Sequence, residues 1–101
     1  MGLLQSIIDK KSVEAIARKW KIKELAVFGS VLGDNFNEES DVDILVQFEP
    51  ETRYSLFDLV DLKDELEGIF GRSVDLVEKS GIRNPFRRKE ILQTARIIYA
   101  A

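Results

Sequence analysis

The chain has 101 residues, of which 45% are hydrophobic and 33% charged, and a net charge of −3; this balance fits one small globular domain spanning residues 1–101 and excludes a disordered polyelectrolyte. It contains no cysteine and no histidine, which removes disulfides, thiolate and imidazole metal sites and the usual general base. The mild acidity speaks against nucleic-acid binding by bulk charge, no apolar run reaches membrane-spanning length, and the opening MGLLQSIIDKK lacks signal-peptide organisation, so a cytoplasmic protein with no membrane partner is expected.

In chain order, Leu3 to Trp20 reads as helix: Leu3, Leu4, Ile7 and Ile8, then Val13, Ile16, Ala17 and Trp20, recur at helical spacing. Asp9-Lys10-Lys11 can divide it, with Ser12 as cap of the second part. Leu25 to Phe28 is a short β-forming run ended by Gly29. The following VLGDNFNEES is turn-rich and reads as a loop. DVDILVQF is a strand with Val42, Ile44 and Val46 on one face and Asp41, Asp43, Leu45 and Gln47 on the other.

SLFDLVDLKDELEGIFG is the clearest helix, with Ser55 as N-cap, Asp58 completing a capping box and Gly71 as stop. Its expected buried stripe is Leu56, Leu59, Val60, Leu66, Ile69 and Phe70. RSVDLVE is a third strand, with Asp75 and Val77 sharing a face. Pro85 to Ala100 reads as a closing helix capped by Asn84, with Phe86, Ile91, Leu92, Ala95, Ile98 and Tyr99 turned inward. The expected fold class is α+β, a mixed sheet with helices packed on one side. The first two strands should be antiparallel, because their connection is short, and the second and third parallel through the intervening helix.

Two carboxylates two residues apart on a strand lie about 6.5–7 Å apart at the α-carbons and point the same way. Alone they repel; with a hard divalent cation they become ligands. Asp75 is an acid between apolar strand neighbours. If its strand lies beside that of Asp41 and Asp43, three carboxylates can meet at a two-metal centre, of magnesium, manganese or calcium, suited to phosphoryl or nucleotidyl transfer. Gly29 and Ser30 offer a cradle for a triphosphate, since glycine admits a phosphate to the backbone and a serine beside free N–H groups binds anions.

Gly29-Ser30, ten residues, then Asp41-Val42-Asp43 resembles the signature of the DNA polymerase beta-like nucleotidyltransferase superfamily. VFGSVLGDNFNEESDVDILVQFEP, SLFDLVDLKDELEGIFGRSVDLV and RRKEILQTARIIYA together resemble its minimal nucleotidyltransferase subfamily, from about residue 20 to the end. The resemblance implies that fold, with Asp41, Asp43 and Asp75 as catalytic metal ligands, Mg2+ as cofactor, ATP as substrate and Gly29 and Ser30 on the nucleotide phosphates. It further implies the antitoxin half of a two-gene module, which transfers AMP to a tyrosine of an all-helical HEPN toxin. Related sequences often carry arginine where this chain has Gly33. That departure leaves open a non-catalytic binding module that neutralises its toxin by covering it.

Plainer readings stand beside these. Asp41 alone could be turn chemistry, and Asp75 alone an edge-strand charge. Ser30 has no base to make it a nucleophile. The basic runs RKWKIK and RNPFRRKE read first as solvated faces, and otherwise as a docking surface for an acidic partner or for the triphosphate. Asp58, Asp61, Asp64, Glu65 and Glu67 read as the wet side of their helix, and Trp20 as packing. Self-association is left open, with no interface assigned.

Overall fold

The computed structural model describes residues 9–29 and 41–101. The helical expectation for Leu3 to Ile8, the Ser30 cradle, Gly33 and the turn-rich segment before Asp41 fall outside the described residues. Within them the order is α1 (Lys10–Lys19), β1 (Ile22–Phe28), β2 (Val42–Phe48), α2 (Leu56–Phe70), β3 (Val74–Glu78), α3 (Pro85–Thr94) and β4 (Arg96–Ala100). A 3-10 turn, Lys79–Gly81, joins β3 to the approach of α3.

The four strands form one sheet in the order β3-β2-β1-β4. β1 runs antiparallel to β2 and β4, and β2 runs parallel to β3. Both pairing expectations therefore hold: the crossover through α2 is long enough to return the chain in the same direction. The sheet is mixed, as its alternation with helices implied.

Alternation along the strands sorts the core into two. On one face Ile22, Leu25 and Val27 of β1, Val42, Ile44 and Val46 of β2 and Val74 of β3 pack against Val13, Ile16 and Ala17 of α1 and Leu62, Leu66 and Phe70 of α2. α1 and α2 thus lie on one side of the sheet. The other face is covered in part: Ala26, Phe28 and Leu45 pack with Ile82 and with Ile91 of α3. At about 1.5–3 kcal/mol for each large apolar side chain buried, the first face supplies most of the driving force.

Local signals explain most boundaries, and four corrections follow. The cap of α1 is Asp9, not Ser12: the Asp9 carboxylate accepts from the Lys11 N–H at 3.1 Å and from the Ser12 hydroxyl at 2.9 Å. A carboxylate at that place also suits the positive end of the helix. β1 begins at Ile22, earlier than the apolar run, because pairing with β2 carries Lys23 and Glu24 into the strand.

In α2 the Ser55–Asp58 capping box forms as expected, and Gly71 ends the helix at φ 69°. Its dry row is Leu62, Leu66 and Phe70, at i, i+4 and i+8. Leu59 and Ile69 are half-buried, whereas Leu56 and Val60 are exposed; Val60, two residues before Leu62, falls on the far side of the helix. Finally, the closing segment is not one helix. α3 has the expected Asn84 cap and Pro85 start but stops at Thr94, whose hydroxyl turns back to the Glu90 carbonyl at 2.9 Å. Ala95 is extended, and Arg96–Ala100 pairs with β1. The β-branched and aromatic run Ile97-Ile98-Tyr99 suits a strand, and the open edge of β1 gives it one. Of the residues expected inward, Phe86 is 83% exposed and Leu92 is exposed, while Ile91 is buried.

Trp20 is a packing residue, as expected. Its ring meets Tyr54 edge-on at 5.3 Å, Tyr54 meets Phe48 at 4.9 Å, and its indole N–H donates to Glu65 at 2.9 Å. Among the described residues no helix is long and apolar enough to cross a membrane.

Candidate active site

The second face of the sheet becomes acidic where β1 ends and β2 and β3 begin. Asp41 immediately precedes β2, and Asp43 is its second residue. The parallel register pairs Val42 with Val74 and Asp43 with Asp75. Adjacent strands lie about 4.8 Å apart, so residues paired in this way present side chains to the same face as neighbours. Asp43 is half-buried; Asp41 and Asp75 are exposed.

Gly29 closes the site from the β1 side. Phe28 pairs with Asp43, and the next residue, Gly29, turns out of the strand at φ +72°. A β-carbon there would overlap Oδ2 of Asp43 and stand 3.1 Å from its Cγ. Glycine is required twice over, by the left-handed backbone and by the carboxylate lying against it. The Gly-Ser pair is expected to cradle a phosphate; what its described half, Gly29, accommodates here is the Asp43 carboxylate.

Two hydrogen bonds set the opposite edge. The Val42 N–H donates to the Ser73 carbonyl at 2.9 Å, joining the starts of β2 and β3. The Val74 N–H donates to Oε2 of Glu67 at 2.8 Å, and Lys63 adds a 3.1 Å ion pair to the same oxygen. These donors, the Val74 N–H first, hold the Glu67 carboxyl below the ordinary glutamate value. Glu67 thus fixes the residue before Asp75. Sequence reading placed it on the wet side of α2; no motif marks it, because its partner is a backbone N–H brought up by the crossover.

The register unites Asp43 and Asp75, with Asp41 at the head of the same strand. Among the described residues, however, no three acidic side chains are gathered closely enough to hold a metal ion. The backbone, not a preformed carboxylate cluster, brings these acids together. The donor set fits a hard divalent cation: it is all carboxylate oxygen, in a chain without cysteine or histidine. The absence of a side chain at Gly29 leaves room for one of those carboxylates, that of Asp43.

Comparison with known proteins bears on the family and the fold. A family model described as a nucleotidyltransferase domain matches residues 9–98. The protein adenylyltransferase MntA of Thermococcus cleftensis is 37% identical over 81 residues, covering 80% of this chain and 79% of the relative. A solved structure of a candidate minimal nucleotidyltransferase superposes with a TM-score of 0.73 at 33% identity, covering 95% of both chains. A chain from the complex of a tri-AMPylated Shewanella oneidensis HEPN toxin with its MNT antitoxin has the same fold. There the TM-score is 0.66 at 16% identity, over 96% of this chain and 72% of that one.

Proposed function

This chain belongs to the nucleotidyltransferase domain family, and from that premise we propose that it transfers AMP from ATP to a protein hydroxyl, a tyrosine of a cognate helical HEPN toxin, and so acts as its antitoxin. The observation that carries the reading is the register that sets Asp43 beside Asp75 with Gly29 against Asp43. The adenylyltransferase name of a relative 37% identical supports the choice of AMP and of a protein acceptor.

In this reading Asp41, Asp43 and Asp75 would hold magnesium, which when bound neutralises phosphate charge and acidifies the acceptor hydroxyl. Gly29 lets the triphosphate approach the end of β1, and Ser30 follows it in sequence as a further phosphate contact. Asp43, half-buried between Gly29 and β3, would hold the cation on the side where the triphosphate is placed. Asp75, on the outer side of Asp43, faces the acceptor. The acceptor oxygen bonds to the α-phosphorus while the α–β phosphoanhydride bond breaks, and pyrophosphate leaves with the bonding pair. The acceptor's proton passes to a carboxylate oxygen of Asp75 and then to water. Without a histidine in the chain, a carboxylate is the available acid-base group at this face.

A second reading, occlusion without chemistry, draws on Leu56 and Phe57, which are 76% and 84% exposed at the start of α2; exposed apolar side chains side by side suit a partner surface. One variant separates the two. Asp43→Ala should lower AMP incorporation into the toxin by several kcal/mol of transition-state stabilisation, about a thousandfold, and should no longer protect cells that co-express the toxin. A variant that labels the toxin as fast as wild type refutes the transferase reading; one that labels nothing yet still protects favours occlusion.

A further inference from the structure

Beyond Asp75 the same face of the sheet continues into a shallow cleft of about 330 Å3, lined by Val77, Gly81, Ile82, Arg83, Asn84 and Arg87. Val77 lies two residues along β3 from Asp75, so both point to this face. The cleft has two chemical parts. Val77, half-buried, and Ile82, buried against Ala26, Phe28 and Leu45, form an apolar floor. Arg83 and Arg87 form a cationic rim.

Those two arginines differ from the adjacent Arg88. Arg88 is committed, donating to the Lys79 carbonyl at 2.9 Å. Lys79 leans on Glu24 at 3.7 Å, and Lys63 and Lys19 are paired with Glu67 and Glu65. Arg83 and Arg87 are exposed and, among the described residues, make no ion pair. In a chain of net charge −3, two exposed guanidinium groups on the Asp75 side of the sheet form a local reversal of sign.

We infer that this cleft is the docking subsite for the acceptor: it takes an acidic peptide segment, carboxylates on Arg83 and Arg87 and an apolar side chain on Val77 and Ile82, next to the hydroxyl to be modified. The inference rests on the transferase reading and adds to it the class of sequence recognised. Order across the sheet supports the assignment. Gly29, Asp43 and Asp75 follow one another from β1 to β3, and the cleft lies on the β3 side, away from the end of β1 where the triphosphate is placed. The floor supports it too. A triphosphate gains nothing from apolar surface, whereas a peptide side chain does. Guanidinium forks match carboxylates in pairs.

The test is equilibrium binding without turnover. The probe is a fluorescein-labelled peptide, Glu-Glu-Leu-Tyr-Glu-Glu, with its glutamine-substituted counterpart as control, read by anisotropy at low and moderate salt. Wild type should bind the glutamate peptide about tenfold more tightly than the glutamine peptide. Arg83→Glu/Arg87→Glu should abolish that preference with unchanged Tm and unchanged ATP affinity, and should prefer a lysine-substituted peptide. Equal binding of the glutamate peptide by wild type and the double variant overturns the proposal. So does a double variant that loses ATP affinity and keeps the peptide, since the cleft would then serve the nucleotide. A wild type that binds the peptide by way of the arginines, yet transfers no AMP to any acceptor, sinks the transferase reading and upholds the cleft.

Discussion

The two faces of β2 make the most instructive comparison in this molecule. On one, Val42, Ile44 and Val46 are fully buried under α1 and α2. On the other, Asp43 and Gln47 are half-buried and Leu45 alone is dry. The strand is continuous, and the contrast comes from its two-residue period. Because the first face closes a complete core, the second can carry like charges side by side, whose repulsion would otherwise oppose folding. Stability and chemistry are thus separable on one strand, and substitutions on each side should show it.

Leu66→Ala, on the dry row of α2, is expected to have the largest effect on folding. Leu66 is fully buried, and truncating such a leucine costs about 2–5 kcal/mol. Chemical denaturation should report a loss in that range, with AMP transfer per folded molecule unchanged. Asp43→Ala should do the reverse, leaving the denaturation midpoint near wild type while transfer collapses. If both variants lose stability and activity in step, the two faces are not independent.

Gly29→Ala comes next, because it breaks the separation where the faces meet. An alanine at φ +72° costs about 1–2 kcal/mol, and its β-carbon would overlap Oδ2 of Asp43. The carboxylate must swing away, so activity should fall further than the stability loss accounts for. A variant whose loss of activity is fully explained by its unfolded fraction would show that Gly29 serves the turn alone.

The same contrast governs how much could be read from the sequence. Local signals were sufficient where they were chemically specific: the Ser55–Asp58 box, the Asn84-Pro85 start, the Gly71 stop and the alternation in DVDILVQF all form as the residues imply. The pairing of Asp75 with Asp43 was legible because Asp75 sits in a strand that a helix-long connection returns parallel to β2. Failures came where a partner, not a propensity, decided. Arg96–Ala100 has the apolar spacing of a helix, but the unpaired edge of β1 takes it as a strand. The stripe of α2 was assigned from hydrophobicity, and Leu56 and Val60 proved to lie off the row that meets the sheet. Asp9 and Ser12 are both good caps, and only the observed start of α1 chooses between them. Glu67 was invisible, and the run holding Arg83 and Arg87 could be read either as a solvated face or as a docking surface, because ordinary surface charges become distinctive only once the chain has brought them to the Asp75 side of the sheet.

The smallest expected effect concerns Glu67, which joins the two regions: it stands on the helix that closes the core and holds the strand that carries Asp75. Its carboxylate is stabilised by the Val74 N–H at 2.8 Å and then by Lys63 at 3.1 Å, so its folded value lies below the ordinary 4.5. A carboxyl depressed on folding contributes stability that is fully present above its unfolded value and lost as pH falls through its folded value. Glu67→Gln keeps an oxygen for the Val74 N–H and removes only the charge. The variant should therefore melt below wild type at neutral pH, and the gap should close on acidification, when wild-type Glu67 becomes neutral as well. Thermal melts across that range measure it. Parallel curves would mean that the charge on Glu67 is not what holds the start of β3. Because the glutamine still fixes Val74, AMP transfer at neutral pH should stay near wild type, whereas Glu67→Ala, which frees the N–H, should lower it by loosening Asp75 against Asp43.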